Sequence, residues 1–304
     1  MKPIVKQILV GVGAVVGLVV VGGAAFVGYQ AHAFGSSLDK VYEVPLPSLT
    51  RTSDPVALER GHHIADSIAP CAVSDCHGGD LSGGKTVEVG PLGRFSGPNI
   101  TSSGLGAAYS DGELARLIRH GLKKDGRTVR FMPAHEFNWL PDDDLTAVVS
   151  WVRTVPGVQK PNGPFELGLL AKVLDRLDKI PIDVARRINH ANVELAPPAT
   201  PTAAYGAFLA RSCTGCHGDH LSGGPIPGAP PEMAIPLNLT PHETGLKGWT
   251  LEDLKKTFET GIDKKGKKLD PMMPVAALAK LNDTELHALY AYLASLAPLP
   301  FGGR

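Results

Sequence analysis

The four cysteines of this 304-residue chain fall in two short clusters, and a histidine closes each: Cys71-Ala-Val-Ser-Asp-Cys76-His77 and Cys213-Thr-Gly-Cys216-His217. In a C-x-x-C-H arrangement two thiols add across the vinyl groups of haem, and the imidazole binds the iron from one face. A chain built on that chemistry wraps short helices and loops around a large flat cofactor. The 35 Gly and 26 Pro, dispersed along the chain, suit such a fold. The first cluster holds two extra residues between its thiols. An outward bulge still brings both sulfurs to the vinyls, and a Cys71–Cys76 disulfide is the alternative. Zinc or dithiol chemistry also uses C-x-x-C, but neither needs a histidine after the second cysteine in both clusters.

The clusters belong to a longer repeat. Cys76-His77-Gly78, followed by Leu81-Ser82-Gly83-Gly84, is answered by Cys216-His217-Gly218 and Leu221-Ser222-Gly223-Gly224. Asn99-Ile100-Thr101 is answered by Asn238-Leu239-Thr240, Gly126 by Gly266, and Met132-Pro133 by Met273-Pro274. Matches kept in this order predict a duplicated domain. Each copy reads as three helices. Leading helices are expected over 58–67 and 203–211, with Gly61 and Gly206 at related positions. A mid-helix glycine costs stability, and close approach of another backbone is one use for it. Middle helices are expected over 111–120 and 251–260, and trailing helices over 142–154 and 283–296. Leu145, Val148, Val149 and Val152 form a stripe at helical spacing, as do Leu286, Leu289, Tyr290 and Leu293. Asn282 with Glu285 predicts a capping box. Strand-like alternation is scarce.

A haem iron held by His77 or His217 has a second face. An open position there permits peroxide or oxygen chemistry, whereas a thioether closes the site and raises the potential. The matched Met-Pro pairs point to Met132 and Met273 as the distal ligands. Counting forward from Gly261 favours Met272. Counting back from Leu281 favours Met273, as does the proline that follows it, and Met273 is preferred. His120 and His135 lie near the first distal region.

At the amino terminus, Lys2 and Lys6 precede an uncharged run from Ile8 to Val27. At about 1.5 Å per residue, some 20 residues cross the roughly 30 Å hydrocarbon core. A cleaved signal peptide is the alternative, and Ala31-His32-Ala33 resembles a cleavage site. The length of the run favours an anchor. The positive-inside rule then places the lysines in the cytoplasm and the rest in the periplasm, single-pass on the inner (cytoplasmic) membrane. Lys and Arg together number 30, as do Asp and Glu, so nothing marks a nucleic-acid surface. No phosphate loop, serine elbow or His-Glu-x-x-His motif is present.

The residues resemble the membrane-anchored dihaem c-type cytochromes built from two class I cytochrome c domains. The likeness rests on the two Cys-His motifs, Leu-Asn-Leu-Thr-Pro-His-Glu-Thr-Gly from Leu237 to Gly245, Gly248-Trp249-Thr250, Pro271-Met272-Met273-Pro274 and Leu281-Asn282-Asp283. It covers about residues 55 to 300. It implies an all-α fold, with an N-terminal transmembrane helix and then two tandem cytochrome c-like domains, each wrapped around one covalent haem c. The expected organisation is an anchor over 1–30, a stalk over 31–55, domain 1 over 56–156, a connector over 157–201 and domain 2 over 202–300. Cys71, Cys76, Cys213 and Cys216 would attach the two haems, His77/Met132 and His217/Met273 would ligate the irons, and Thr101 and Thr240 would touch propionates. In the first copy Ser102-Ser103-Gly104 replaces the Pro-His-Glu-Thr-Gly of the second. The implied role is electron relay between redox protein partners, a donor and an acceptor (oxidase, reductase or soluble cytochrome), alone or in a larger respiratory complex. The rivals are a dihaem peroxidase-like enzyme, against which the paired Met-Pro motifs count, and the cytochrome subunit of a periplasmic dehydrogenase.

Overall fold

The computed structural model describes residues 3–227, 229 and 233–304. It opens with one long helix, α1 (Pro3–Leu38). Two helical units follow. The first holds α2 (Pro55–His63), α3 (Asp111–His120), α4 (Ala134–Phe137) and α5 (Asp142–Thr154). A connector carries α6 (Leu169–Arg176), and the second unit holds α7 (Ala203–Leu209), α8 (Arg211–His217), α9 (Leu251–Thr260), α10 (Val275–Leu278) and α11 (Asp283–Ser295).

In each unit the leading helix packs on the trailing one, α2 on α5 and α7 on α11. The two glycines explain how closely. A Cβ on Gly61 would lie 2.2 Å from the Ala147 carbonyl oxygen, and one on Gly206 would lie 1.9 Å from that of Ala288. The backbones touch where the sequence places matching glycines. The middle helices follow the expected bounds and end on left-handed Gly121 and Gly261. Such an end suits glycine, which has no Cβ to clash. The Asn282–Glu285 capping box is formed.

Three expectations need correction. The stretch beyond residue 30 does not begin as an extended stalk. No proline interrupts α1 before Leu38, and its far end is held by packing: Phe34 is buried in a small core with Leu92, Ala171 and Ile182. The segment after α1 is extended but pinned to the first unit. Tyr42 N–H donates to the Gly126 carbonyl, Arg116 reaches the Val44 carbonyl, and Thr52 N–H donates to Ser150 Oγ. The spacing of Leu167, Leu170, Val173, Leu174 and Leu177 predicts a helical middle for the connector over 165–189, but only α6 and a single turn at Ala185–Arg187 form there. The connector enters a three-stranded antiparallel sheet as β3 (Phe165–Leu167), beside β2 (Gly93–Phe95), which pairs with β1 (Val87–Glu88). Gly93 sits at φ 126° with the Glu166 carbonyl where a Cβ would be. Finally, the leading helix of the first unit widens into a π-type turn over Ile64–Ile68 just before its Cys cluster.

The two units share one continuous apolar core, which runs from Ile64, Trp139 and Val148 to Tyr205, Phe208 and Leu289. The contacts between them are reciprocal. Helix α4 of the first packs on α8 of the second, while α10 of the second packs on the Ile64–Ile68 turn of the first.

Candidate functional site

In the second unit Cys213, Cys216 and His217 all lie on α8. In the first, Cys71 and Cys76 lie in a loop that closes when His77 N–H donates to the Cys71 carbonyl at 3.0 Å. All four thiols are free, so the Cys71–Cys76 disulfide does not form. Burial pushes the Cys71 and Cys213 thiols up to about 12 and Cys76 to about 11, which keeps them neutral at ordinary pH.

Both histidines are oriented in the same way despite the different cysteine spacings. His77 Nδ1 donates to the Pro98 carbonyl at 2.8 Å, and His217 Nδ1 to the Leu237 carbonyl at 2.7 Å. A carbonyl only accepts, so Nδ1 carries the proton and Nε2 keeps its lone pair. Burial lowers both imidazole pKa values and holds the rings neutral. A neutral ring with Nε2 free and its tautomer fixed from behind fits a haem-iron ligand, and free thiols just before it fit vinyl attachment.

The accepting carbonyls are themselves fixed by a device that composition does not reveal. Asn99 follows Pro98, and Asn238 follows Leu237. Asn99 Oδ1 accepts from the Thr101 N–H and hydroxyl at 3.0 and 2.7 Å, and its Nδ2 donates to the Val158 carbonyl. Asn238 repeats this with Thr240 at 2.9 and 2.8 Å and the Leu299 carbonyl. Each asparagine thus ties the histidine-facing loop to the segment after the trailing helix. The repeated Asn-x-Thr triplet was the signal for it. Thr101 and Thr240 are fully buried; the Thr101 hydroxyl donates to Asn99, and the Thr240 hydroxyl faces both Asn238 Oδ1 and the Leu299 carbonyl.

Met132 and Met273 are half-buried and pack against the shared core, as do Cys71 and Cys213. Backbone bonds place them equivalently: Ala134 N–H donates to the Met132 carbonyl and Val275 N–H to that of Met273, and Pro133 and Pro274 each precede a short helix. Met272 is 54% exposed. Of the nearby histidines, His120 meets His190 with their Nδ1 atoms 3.2 Å apart. His135 is lowered to about 4, chiefly by burial.

Sequence reasoning missed the junction between the sites. Glu136, on α4 beyond Met132, lies where a Cβ on Gly215 would be, 2.4 Å from its Oε1. Gly215 stands between Cys213 and Cys216, and its missing side chain makes room for the carboxyl. Burial pushes Glu136 up to about 8. A second cluster joins the units through Glu285. It accepts from Arg60 Nη1 at 2.9 Å and from His63 Nε2 at 2.7 Å, while Arg60 also grips Asp144 with two bonds. Burial raises the Glu285 carboxyl, but the bonds from His63 and Arg60 outweigh it and hold the group below the usual carboxylate range.

Residues 203–297, which include the α8 site, match the family described as Cytochrome c. The alcohol dehydrogenase (quinone) cytochrome c subunit of Komagataeibacter europaeus is 25% identical over 280 residues, 83% of this chain and 58% of that protein. The fructose dehydrogenase cytochrome subunit of Gluconobacter japonicus is 35% identical over 101 residues, 31% of this chain and 21% of its own. The gluconate 2-dehydrogenase cytochrome c subunit of Pantoea cypripedii is 37% identical over 97 residues, 29% of this chain and 21% of its own. The chain therefore spans 58% of the length of the longest-matching curated relatives. It carries a cytochrome c domain, with the covalent haem c that such a domain implies, and is related to the cytochrome c subunits of dehydrogenases.

Proposed function

We propose that the chain is a membrane-anchored dihaem electron carrier that serves a periplasmic dehydrogenase as its cytochrome subunit. In this reading haem c is held in domain 1 (56–156) by Cys71, Cys76, His77 and Met132, and in domain 2 (202–300) by Cys213, Cys216, His217 and Met273. Haem supplies a one-electron couple whose potential thioether ligation raises. The protein's part is to fix that couple and exclude other chemistry. His77 and His217 present Nε2 because their Nδ1 protons are spent on carbonyls. Thr101 and Thr240 order the Asn loops from within, and in this reading they stand beside the haem propionates.

The observation that carries the two-haem reading is this repeated back-bonded histidine. Domain 1 keeps it at nearly the same length as domain 2, although its cysteines are spaced differently. Reciprocal packing supports a relay: α4 packs on α8, which bears Cys213 and Cys216, and α10 packs on the Ile64–Ile68 turn just before Cys71. The dehydrogenase assignment rests on the relatives' names and replaces the more general oxidase or reductase partners. Helix α1 contains an apolar candidate span, Leu9–Leu38, and supports anchoring in the inner membrane with the domains in the periplasm.

The test is the haem-to-chain ratio, measured as pyridine haemochrome absorbance against protein concentration. The proposal requires a ratio near two. A ratio near one would leave domain 1 a structural copy and remove the relay. The peroxidase reading requires a displaceable distal ligand, so sustained peroxide turnover by the reduced protein would replace the carrier reading with it.

A further inference from the structure

We propose that Glu136 couples electron uptake by the chain to uptake of a proton, so that the carrier moves protons together with electrons. This inference rests on the haem-carrier reading above. The carboxyl stands at the junction of the two attachment sites. Helix α4 of the first unit packs on α8 of the second, and Gly215, between Cys213 and Cys216, leaves the gap that Glu136 Oε1 enters. From there its charge reaches Cys76 of one site and Cys213 and Cys216 of the other. Nothing in the packing calls for an acid, since the matching position in the second unit is Ala277. Among the described residues no donor bonds the carboxyl. The one basic nitrogen within 4.0 Å is His135 Nε2, and burial keeps that ring neutral.

The other charged groups on the elements packed against α4 are committed. On α3, Asp111 is held by Arg153, Glu113 by the Ser110 N–H and Arg116 by backbone carbonyls. Arg119 pairs with Asp142, and His120 faces His190. On α8, Arg211 pairs with Glu194, and at the Ala185–Arg187 turn Arg186 and Arg187 meet Asp178. Arg187 and Asp219 act on His135 with opposite signs. Glu136 is thus left to burial alone, which disfavours its charged form. Its side chain is 13% exposed, so its proton still exchanges with solvent. Each electron taken up removes one positive charge from the site it enters. A carboxylate out of water feels that loss strongly, and its proton affinity rises. The balance is two ferric irons, two electrons from the donor, one carboxylate and one solvent proton, giving two ferrous irons and one carboxylic acid.

Removing nearby positive charge raises the proton affinity of a buried carboxyl by about tenfold or more. Tenfold corresponds to about 59 mV for one electron, so the sum of the two midpoint potentials should fall by about 59 mV between about pH 6 and pH 10, beyond any fall in Glu136→Gln. The experiment is spectroelectrochemical titration of the full-length holoprotein in neutral detergent. It compares the wild type, Glu136→Gln and Glu259→Gln, whose exposed acid serves as control. An indicator dye in weak buffer follows the proton in parallel. The expected result is the fall, with matching proton uptake on reduction, in the wild type and the control. Both are lost in Glu136→Gln, with haem content unchanged. An equal fall in Glu136→Gln, or none in the wild type, overturns the proposal. If Glu136→Gln does not retain haem, Glu136→Asp decides: its shorter carboxyl must move the pH range of the fall, and an unmoved range overturns the proposal. A haem-to-chain ratio near one with the fall kept on the single wave overturns the two-haem reading alone, because Glu136 faces Cys213 and Cys216 in either case. A ratio near two without the fall overturns this proposal alone.

Discussion

Replacing Gly206 by alanine sets two physical effects against each other. In an open helix the change is favourable by about 1 kcal/mol, because glycine loses more backbone entropy than alanine. Here the new methyl carbon would stand 1.9 Å from the Ala288 carbonyl oxygen, 2.5 Å from its carbon and 2.9 Å from Tyr292 Cβ. An ordinary contact to that oxygen needs more than 3 Å, so α7 and α11 must separate by about 1 Å. Both neighbours are helix backbone or its first side-chain atom, which cannot rotate away. Overpacking of this kind costs about 1–3 kcal/mol, and parting the two main helices of the domain places it at the upper end. The net loss after the propensity gain is about 2 kcal/mol. For a domain of this size that lowers the melting temperature by roughly 8–15 °C. The assay is thermal unfolding of the holoprotein followed by far-UV circular dichroism, with the Soret band reporting domain integrity. Gly35→Ala is the internal control, because nothing lies within 4 Å of its added carbon; it should leave stability unchanged or slightly raised. Gly61→Ala should act on domain 1 as Gly206→Ala acts on domain 2. A G206A protein as stable as wild type would refute the backbone-contact argument and leave the paired glycines unexplained.

On the proposed ligation, Met273→Ala should lower the potential of the haem held by His217 and open its distal face to added imidazole, while Met272→Ala should change neither in spectroelectrochemical titration. Glu285→Ala leaves Arg60 and His63 without their shared partner and removes one half of the α11 capping box, the bond from Asn282 N–H; a loss of about 3–5 kcal/mol is expected in denaturant melts, with the domains uncoupling first. Glu136 holds its proton in the folded protein up to about pH 8, against about 4.5 when unfolded. Its stabilising contribution is therefore complete below pH 4.5 and falls as pH rises through 8. Glu136→Gln should flatten that decline, and parallel pH–stability curves for the two proteins would contradict it.

Much of this was legible in the chain because the repeat supplied two copies of each signal. The trailing helices could be placed from their apolar spacing and, in the second copy, from the Asn282–Glu285 box, and the matched Gly61 and Gly206 pointed to a close backbone contact in each unit. Met273 was separable from Met272 only weakly by counting; its burial and its equivalence to Met132 come from the turn geometry. The rest lay beyond local pattern. Strands of two or three residues carry no measurable alternation. The continuation of α1 to Leu38 depends on Phe34 finding a core made by Leu92, Ala171 and Ile182, all distant in sequence. Glu136 carries no local signal that would set it apart from other acids of the chain. Its burial arises only when the second domain closes over it, and that domain differs from the first at the matching position, where Ala277 stands.

The unbroken run of α1 into the connector core also bears on how such a carrier would meet its partners. A flexible tether lets a domain sweep a hemisphere above the bilayer, and encounter is then a matter of reach. A helix that is seated by Phe34 and followed by a strap bonded along domain 1 leaves no swivel point between lipid and protein. The only large freedom an anchored chain would then keep is rotation about the membrane normal. With α1 in a bilayer, both haems would stay at constant altitude and constant tilt. Linear dichroism of the Soret band in aligned membranes would then be sharp, and a donor would have to present its own exit point at that same altitude.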